Sequence, residues 1–150
     1  MGTRVHRRRR REQGFTLIEA LCAMLIFGAG VLGIARLQAV AVQETSAAAY
    51  RSTAALLGRN LVSRMWLSDR TPATLQANFT DLAPAGAGYT AWLAAVTAAR
   101  LPGAAANQPT VRFQTLPGGG TAPVVTITIF WQAPGDGLVV HKYVETAQIK

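Results

Sequence analysis

Gly14-Phe15-Thr16-Leu17-Ile18-Glu19 opens the stretch that decides the fold, and the run continues to Ala35. Phe15 to Ala35 is apolar, small or weakly polar except for one carboxylate, Glu19. As a helix rising about 1.5 Å per residue it is roughly 31 Å long, enough to cross the hydrocarbon core of a bilayer. A carboxylate one turn into such a segment costs on the order of 2.5–3.5 kcal/mol near the helix centre, and less towards its end. It therefore needs a partner and marks a functional position.

Around that run the charge is unevenly placed. The 150-residue chain has a formal net charge of +8, but six arginines and Glu12 lie within residues 1–14 and contribute +5 of it. The remaining nine basic and six acidic side chains give +3, which weakens the nucleic-acid reading that the total invites. An arginine cluster beside an apolar helix holds that end in the cytoplasm. A secretory signal peptide would have a shorter apolar region followed by a small-residue cleavage site. Here the run is longer, and no clear site of that kind follows it. A plain uncleaved signal anchor is the alternative.

Arg11-Glu12-Gln13-Gly14-Phe15-Thr16-Leu17-Ile18-Glu19 resembles the class III signal of type IV pilins and type II secretion pseudopilins. The resemblance implies that a prepilin peptidase cuts between Gly14 and Phe15 and methylates the new amine of Phe15. Glu19 then becomes the fifth residue of the mature chain. Gly28-Ala29-Gly30-Val31-Leu32-Gly33-Ile34-Ala35-Arg36-Leu37-Gln38 is similar to a segment that distinguishes PilV-type minor pilins from major pilins. By the same resemblance the protein sits in the inner membrane, single-pass, with a cytoplasmic N-terminus and a periplasmic C-terminal domain, and enters a pilus on assembly. Its implied partners are the peptidase and other minor and major pilins, met through the N-terminal helix.

The implied fold is α+β, a long N-terminal helix, membrane-spanning in its first half, packed on a small antiparallel sheet. The chain divides into a leader (1–14), a transmembrane and assembly helix (15–36) and a periplasmic domain (37–150). With no proline before Pro72, one helix is expected from Phe15 to about Ser68. Leu57, Leu61, Val62, Met65 and Trp66 are assigned to its apolar face, with Arg59, Asn60, Ser63 and Arg64 opposite. Gln38 to Ala55 is alanine-rich and weakly patterned, either a solvated linker or a face for neighbouring helices. Gly28, Gly30 and Gly33 each weaken the helix by about 1 kcal/mol relative to alanine. They serve close packing, Ala29 and Gly33 forming a small-xxx-small pair, or local stretching.

Past Pro72 the sequence predicts short helices at 72–78 and 89–99 and a loop at 101–109. Strands are predicted at 110–116, 124–132 and 138–149, with turns at Pro117-Gly118-Gly119-Gly120 and Pro134-Gly135-Asp136-Gly137. Val125, Ile127, Ile129 and Trp131 share one face of the second strand.

Glu19 is the sharpest site. In a filament the amine of Phe15 on one subunit pairs with Glu19 of a neighbour, which fixes register more reliably than it adds stability. Arg36, the first charge after the apolar run, marks the periplasmic interface. Cys22 has no second cysteine to pair with and behaves as a small apolar side chain. His6 and His141 lack the companions of a metal site, so neither metal nor cofactor is expected. The three glycines at 118–120 lack the lysine of a phosphate loop. No catalytic set is evident, which makes the chain the substrate of an enzyme rather than an enzyme. Trp66, Trp92 and Trp131 are assigned to the core. A DNA-binding competence pilin would rest on Arg100 and Arg112 flanking a loop, a thin basis.

Overall fold

The computed structural model describes residues 13–114 and 123–150. They form α1 (Gln13–Leu67), α2 (Pro72–Phe79), α3 (Ala87–Ala98), β1 (Thr110–Gln114), β2 (Val124–Trp131) and β3 (His141–Gln148). Residues 1–12 of the leader, Thr115, Leu116 and the turn expected at 117–120 lie outside the described residues. The chain divides into two compact units, one ending at Glu44 and the other spanning Thr45–Lys150.

In the first unit α1 is apolar all round, and no face of it is covered. Leu25, Phe27 and Leu32 are each more than 70% exposed, and the most apolar 18-residue window has a mean hydropathy of 2.3. A helix this exposed and this apolar has the composition and length to cross a membrane. It runs without a break through Gly28, Gly30 and Gly33.

The second unit has its own core. The C-terminal part of α1 contributes Ala54, Leu57, Leu61 and Met65, all buried, at spacings of three, four and four residues. Trp66 stands outside this stripe and is 42% exposed. At 3.6 residues per turn, position i+9 lies about 180° from position i, so Trp66 faces away from Leu57. The core face is set instead by Ala54, Leu57, Leu61 and Met65, with Tyr50 and Val62 packed at its margin.

The sheet supplies the cover for that face. Its order is β1-β2-β3, antiparallel throughout, with Val111 opposite Ile127 and Ile129 opposite Tyr143. The central strand alternates as predicted, burying Val125, Ile127, Ile129 and Trp131. Ile149 joins the core just after β3. β3 begins at His141, three residues later than the β-branched run suggests. Two successive turns, Asp136 N–H to Ala133 O and Val139 N–H to Asp136 O, take up the preceding chain. Gly135 and Gly137 have positive φ within it, and Leu138 to Val140 are left exposed.

The α2–α3 hairpin closes one end of the core with Leu75, Phe79, Tyr89, Trp92 and Val96. Its connection is fixed by Gly86 N–H to Thr80 O at 3.0 Å and Gly88 N–H to Asn78 Oδ1 at 2.9 Å. A Cβ placed on Gly86 would lie 2.2 Å from the carbonyl oxygen of Asn78, so the close approach of the two helices requires glycine there.

Candidate processing and assembly site

The residues singled out in the sequence fall in one segment of α1. Gly14 and Phe15 lie in its first turn, and Glu19 follows Phe15 by four residues. That spacing puts positions 15 and 19 on one side of the helix, about 6 Å apart along its axis. Glu19 is exposed within the apolar surface made by Leu17, Ile18 and Leu21. Cys22 is exposed in the same run. Arg36 is exposed where the apolar stretch gives way to Gln38.

Cβ atoms built on Gly28, Gly30 and Gly33 meet nothing within 4 Å. The fold of the single chain therefore makes no use of their missing side chains. Gly58 differs. A Cβ there would sit 3.4 Å from both Glu145 Cβ and Tyr143 Cε1, because α1 passes close to β3 at this point. No local pattern signals this approach, which depends on residues nearly ninety positions apart.

Several polar groups weighed for ligand chemistry are held in local pairs. Arg112 Nη1 donates to both carboxylate oxygens of Asp81, at 2.5 and 2.7 Å. His141 Nε2 lies 2.7 Å from Asp136 Oδ2, and its ring stacks on Trp131 at a centroid distance of 5.7 Å and 19° between planes. Trp131 and Trp92 are buried, as expected of core residues. Trp66 lies at the surface with the Arg70 guanidinium 5.9 Å from its ring centre. No group of three or more potential metal ligands occurs among the described residues.

Among the described residues titration is perturbed at three places. Burial raises the pKa of Tyr89, Asp81 adds to the effect and Arg112 opposes it. Tyr143 is raised chiefly by its hydrogen bond to the Glu145 carboxylate, with burial second. Asp69 is lowered, first by the backbone N–H of Thr71 and then by the Thr71 hydroxyl.

A family model, the prokaryotic N-terminal methylation motif, matches residues 9–35. The matched segment contains Gly14, Phe15 and Glu19 and ends where the apolar run ends. It indicates a type IV pilin-like prepilin, with processing by prepilin peptidase and pilin assembly as its setting. The apolar α1 and the small antiparallel sheet give the described residues an α+β, pilin-like arrangement. No curated protein and no solved structure matches the chain.

Proposed function

We propose that the protein is a minor pilin of the PilV type, a non-enzymatic subunit that takes part in assembling or initiating a type IV pilus. The observation that carries this reading is the methylation motif over residues 9–35, joined to an N-terminal part of α1 whose apolar residues are exposed on every side. In the proposed cycle the peptidase cuts between Gly14 and Phe15 and methylates Phe15. The helix leaves the membrane and packs among those of neighbouring major and minor pilins. Glu19 then meets the amine of a neighbour's Phe15, so two charges costly alone in an apolar core compensate one another.

Gly28, Gly30 and Gly33 support the minor-pilin reading in a second way. They leave a narrow, uncrowded surface that the single chain does not fill, suited to close approach of another helix. The pairing of Arg112 with Asp81 removes one of the two cations on which a DNA-binding reading would rest.

The test is the intact mass and N-terminal residue of membrane-extracted protein from cells with and without prepilin peptidase. A chain beginning at N-methyl-Phe15 only when the peptidase is present supports the proposal. A chain that keeps its arginine leader in both would leave a signal-anchored domain instead. A type II secretion pseudopilin would be processed identically. Recovery of the mature chain in sheared pili, and its absence from secretion complexes, separates the two.

A further inference from the structure

A recess of about 300 Å³ opens beside the C-terminal end of α3, lined by Leu93, Val96, Thr97, Arg100, Leu101 and Ala104 among others. Val96 and Leu101 are buried and form its floor, while Leu93 and Ala104 are half-buried. The lining is apolar apart from two groups. The Thr97 hydroxyl donates to Leu93 O at 2.9 Å, and Arg100 carries the one charge. Covering this apolar lining removes it from water, which favours an occupant with an aliphatic part.

Arg100 is the second observation. It has φ of 52°, the one non-glycine residue with positive φ among those described, and it directly follows the C-cap Ala99. Glycine is the unstrained residue at that point of a helix terminus. An arginine there keeps a cation beside the recess at a conformational cost, and strain of this kind collects at ligand sites. No carboxylate pairs with Arg100 among the described residues, whereas Arg112 has Asp81. Attraction to the carbonyl end of α3 accounts for a cation near the terminus but not for the apolar recess next to it.

We propose that this recess binds a linear aliphatic carboxylate, with its chain against Leu93, Val96 and Leu101 and its carboxylate on the Arg100 guanidinium. The charge of Arg100 selects an anion, and a guanidinium matches a carboxylate in two-point geometry. At about the 30 Å³ that a water occupies in the liquid, the volume holds roughly ten heavy atoms, the size of octanoate. The site is independent of processing and of the methylation motif.

The experiment is equilibrium dialysis of labelled octanoate against the full-length chain in lipid nanodiscs, with empty nanodiscs as baseline. Saturable binding near one octanoate per chain is expected, with at least a tenfold loss in Arg100→Gly. That substitution relieves the positive φ, so its unfolding temperature should be unchanged or higher, and lost binding cannot then be ascribed to misfolding. An excess of octanol should leave the bound octanoate in place. Binding no greater than to empty nanodiscs would overturn the proposal, as would full retention in Arg100→Gly. Equal competition by octanol would overturn it as well, leaving an apolar recess that selects no charge.

Discussion

The indole Nε1 of Trp92 donates to the main-chain carbonyl of Leu57 at 3.0 Å. Trp92 is fully buried, and its ring lies 5.9 Å from that of Tyr89. Leu57 is a core residue of α1, so this bond ties the α2–α3 hairpin to the long helix by a polar contact inside an apolar core. A buried indole N–H without an acceptor would be destabilising, which fixes the seating of α3 on α1. Trp92→Phe keeps most of the ring and loses the bond, and should destabilise the fold by about 1 kcal/mol. Trp92→Ala also empties a large volume and should cost about 3–5 kcal/mol. Thermal unfolding of both variants beside the parent checks the order; parent-like stability in Trp92→Phe would mean that the bond is incidental.

Tyr89 performs a similar task at the start of β1. Its hydroxyl donates to Pro109 O at 2.8 Å in a buried setting. Tyr89→Phe leaves that carbonyl without its donor, an expected loss of about 1–3 kcal/mol. The sign of the pH dependence follows from the raised pKa. Tyr89 is charged only when deprotonated, and folding favours its neutral form. Its contribution is complete below the unfolded value of 10.0 and is lost as pH rises through the higher folded value. Stability followed from pH 8 upward should therefore fall more steeply in the parent than in Tyr89→Phe.

The glycines divide into two classes with opposite predictions. Gly86→Ala drives a methyl group into the Asn78 carbonyl, a backbone atom that cannot rotate away. The substitution should cost about 1–3 kcal/mol or unfold the second unit. A Cβ at Gly33 meets nothing within 4 Å, so Gly33→Leu should leave the single chain as stable as before or slightly more so. If the proposed helix packing is right, the same leucine blocks close approach and lowers incorporation into filaments. Circular dichroism of the purified chain, set against its yield in sheared pili, reads the two effects apart. Normal incorporation of Gly33→Leu would remove the glycines from the assembly argument.

What could be read from the sequence depended on how locally each feature is encoded. β2 was legible because alternate burial is written into Val125, Ile127, Ile129 and Trp131 themselves. α1 was legible because nothing before Pro72 can stop it. At one end of its core face Trp66 misleads, being apolar yet half a turn out of phase with Leu57. At the other end Ala54 gives too weak a signal to mark a core position. Leu138 to Val140 read as strand because β-branched residues favour it, yet the glycines at 135 and 137 use that length in turns. Gly14, Phe15 and Glu19 stood out because their meaning is carried by spacing within six residues. The Trp92–Leu57 bond, the Gly58 contact and the strained Arg100 arise from tertiary packing or backbone conformation, and no local pattern announces them.

The sharpest prediction concerns Glu19. Within the proposed filament its carboxylate and the neighbouring Phe15 amine are both removed from water, and each depends on the other. Removing one partner from such a pair costs about 3–5 kcal/mol because the remaining charge is left uncompensated. Glu19→Gln keeps the shape and abolishes the charge. Cleavage after Gly14 and methylation of Phe15 should proceed normally, since the carboxylate lies beyond the bond that is cut. Incorporation should fall by roughly a hundredfold to a few thousandfold, in keeping with about 1.4 kcal/mol for each factor of ten. Immunoblots of sheared pili and of the membrane fraction, normalised to processed protein, measure the ratio directly. An unprocessed Glu19→Gln chain would place the carboxylate in peptidase recognition instead. A processed chain that still enters filaments at the parent level would show that the pair does not control assembly.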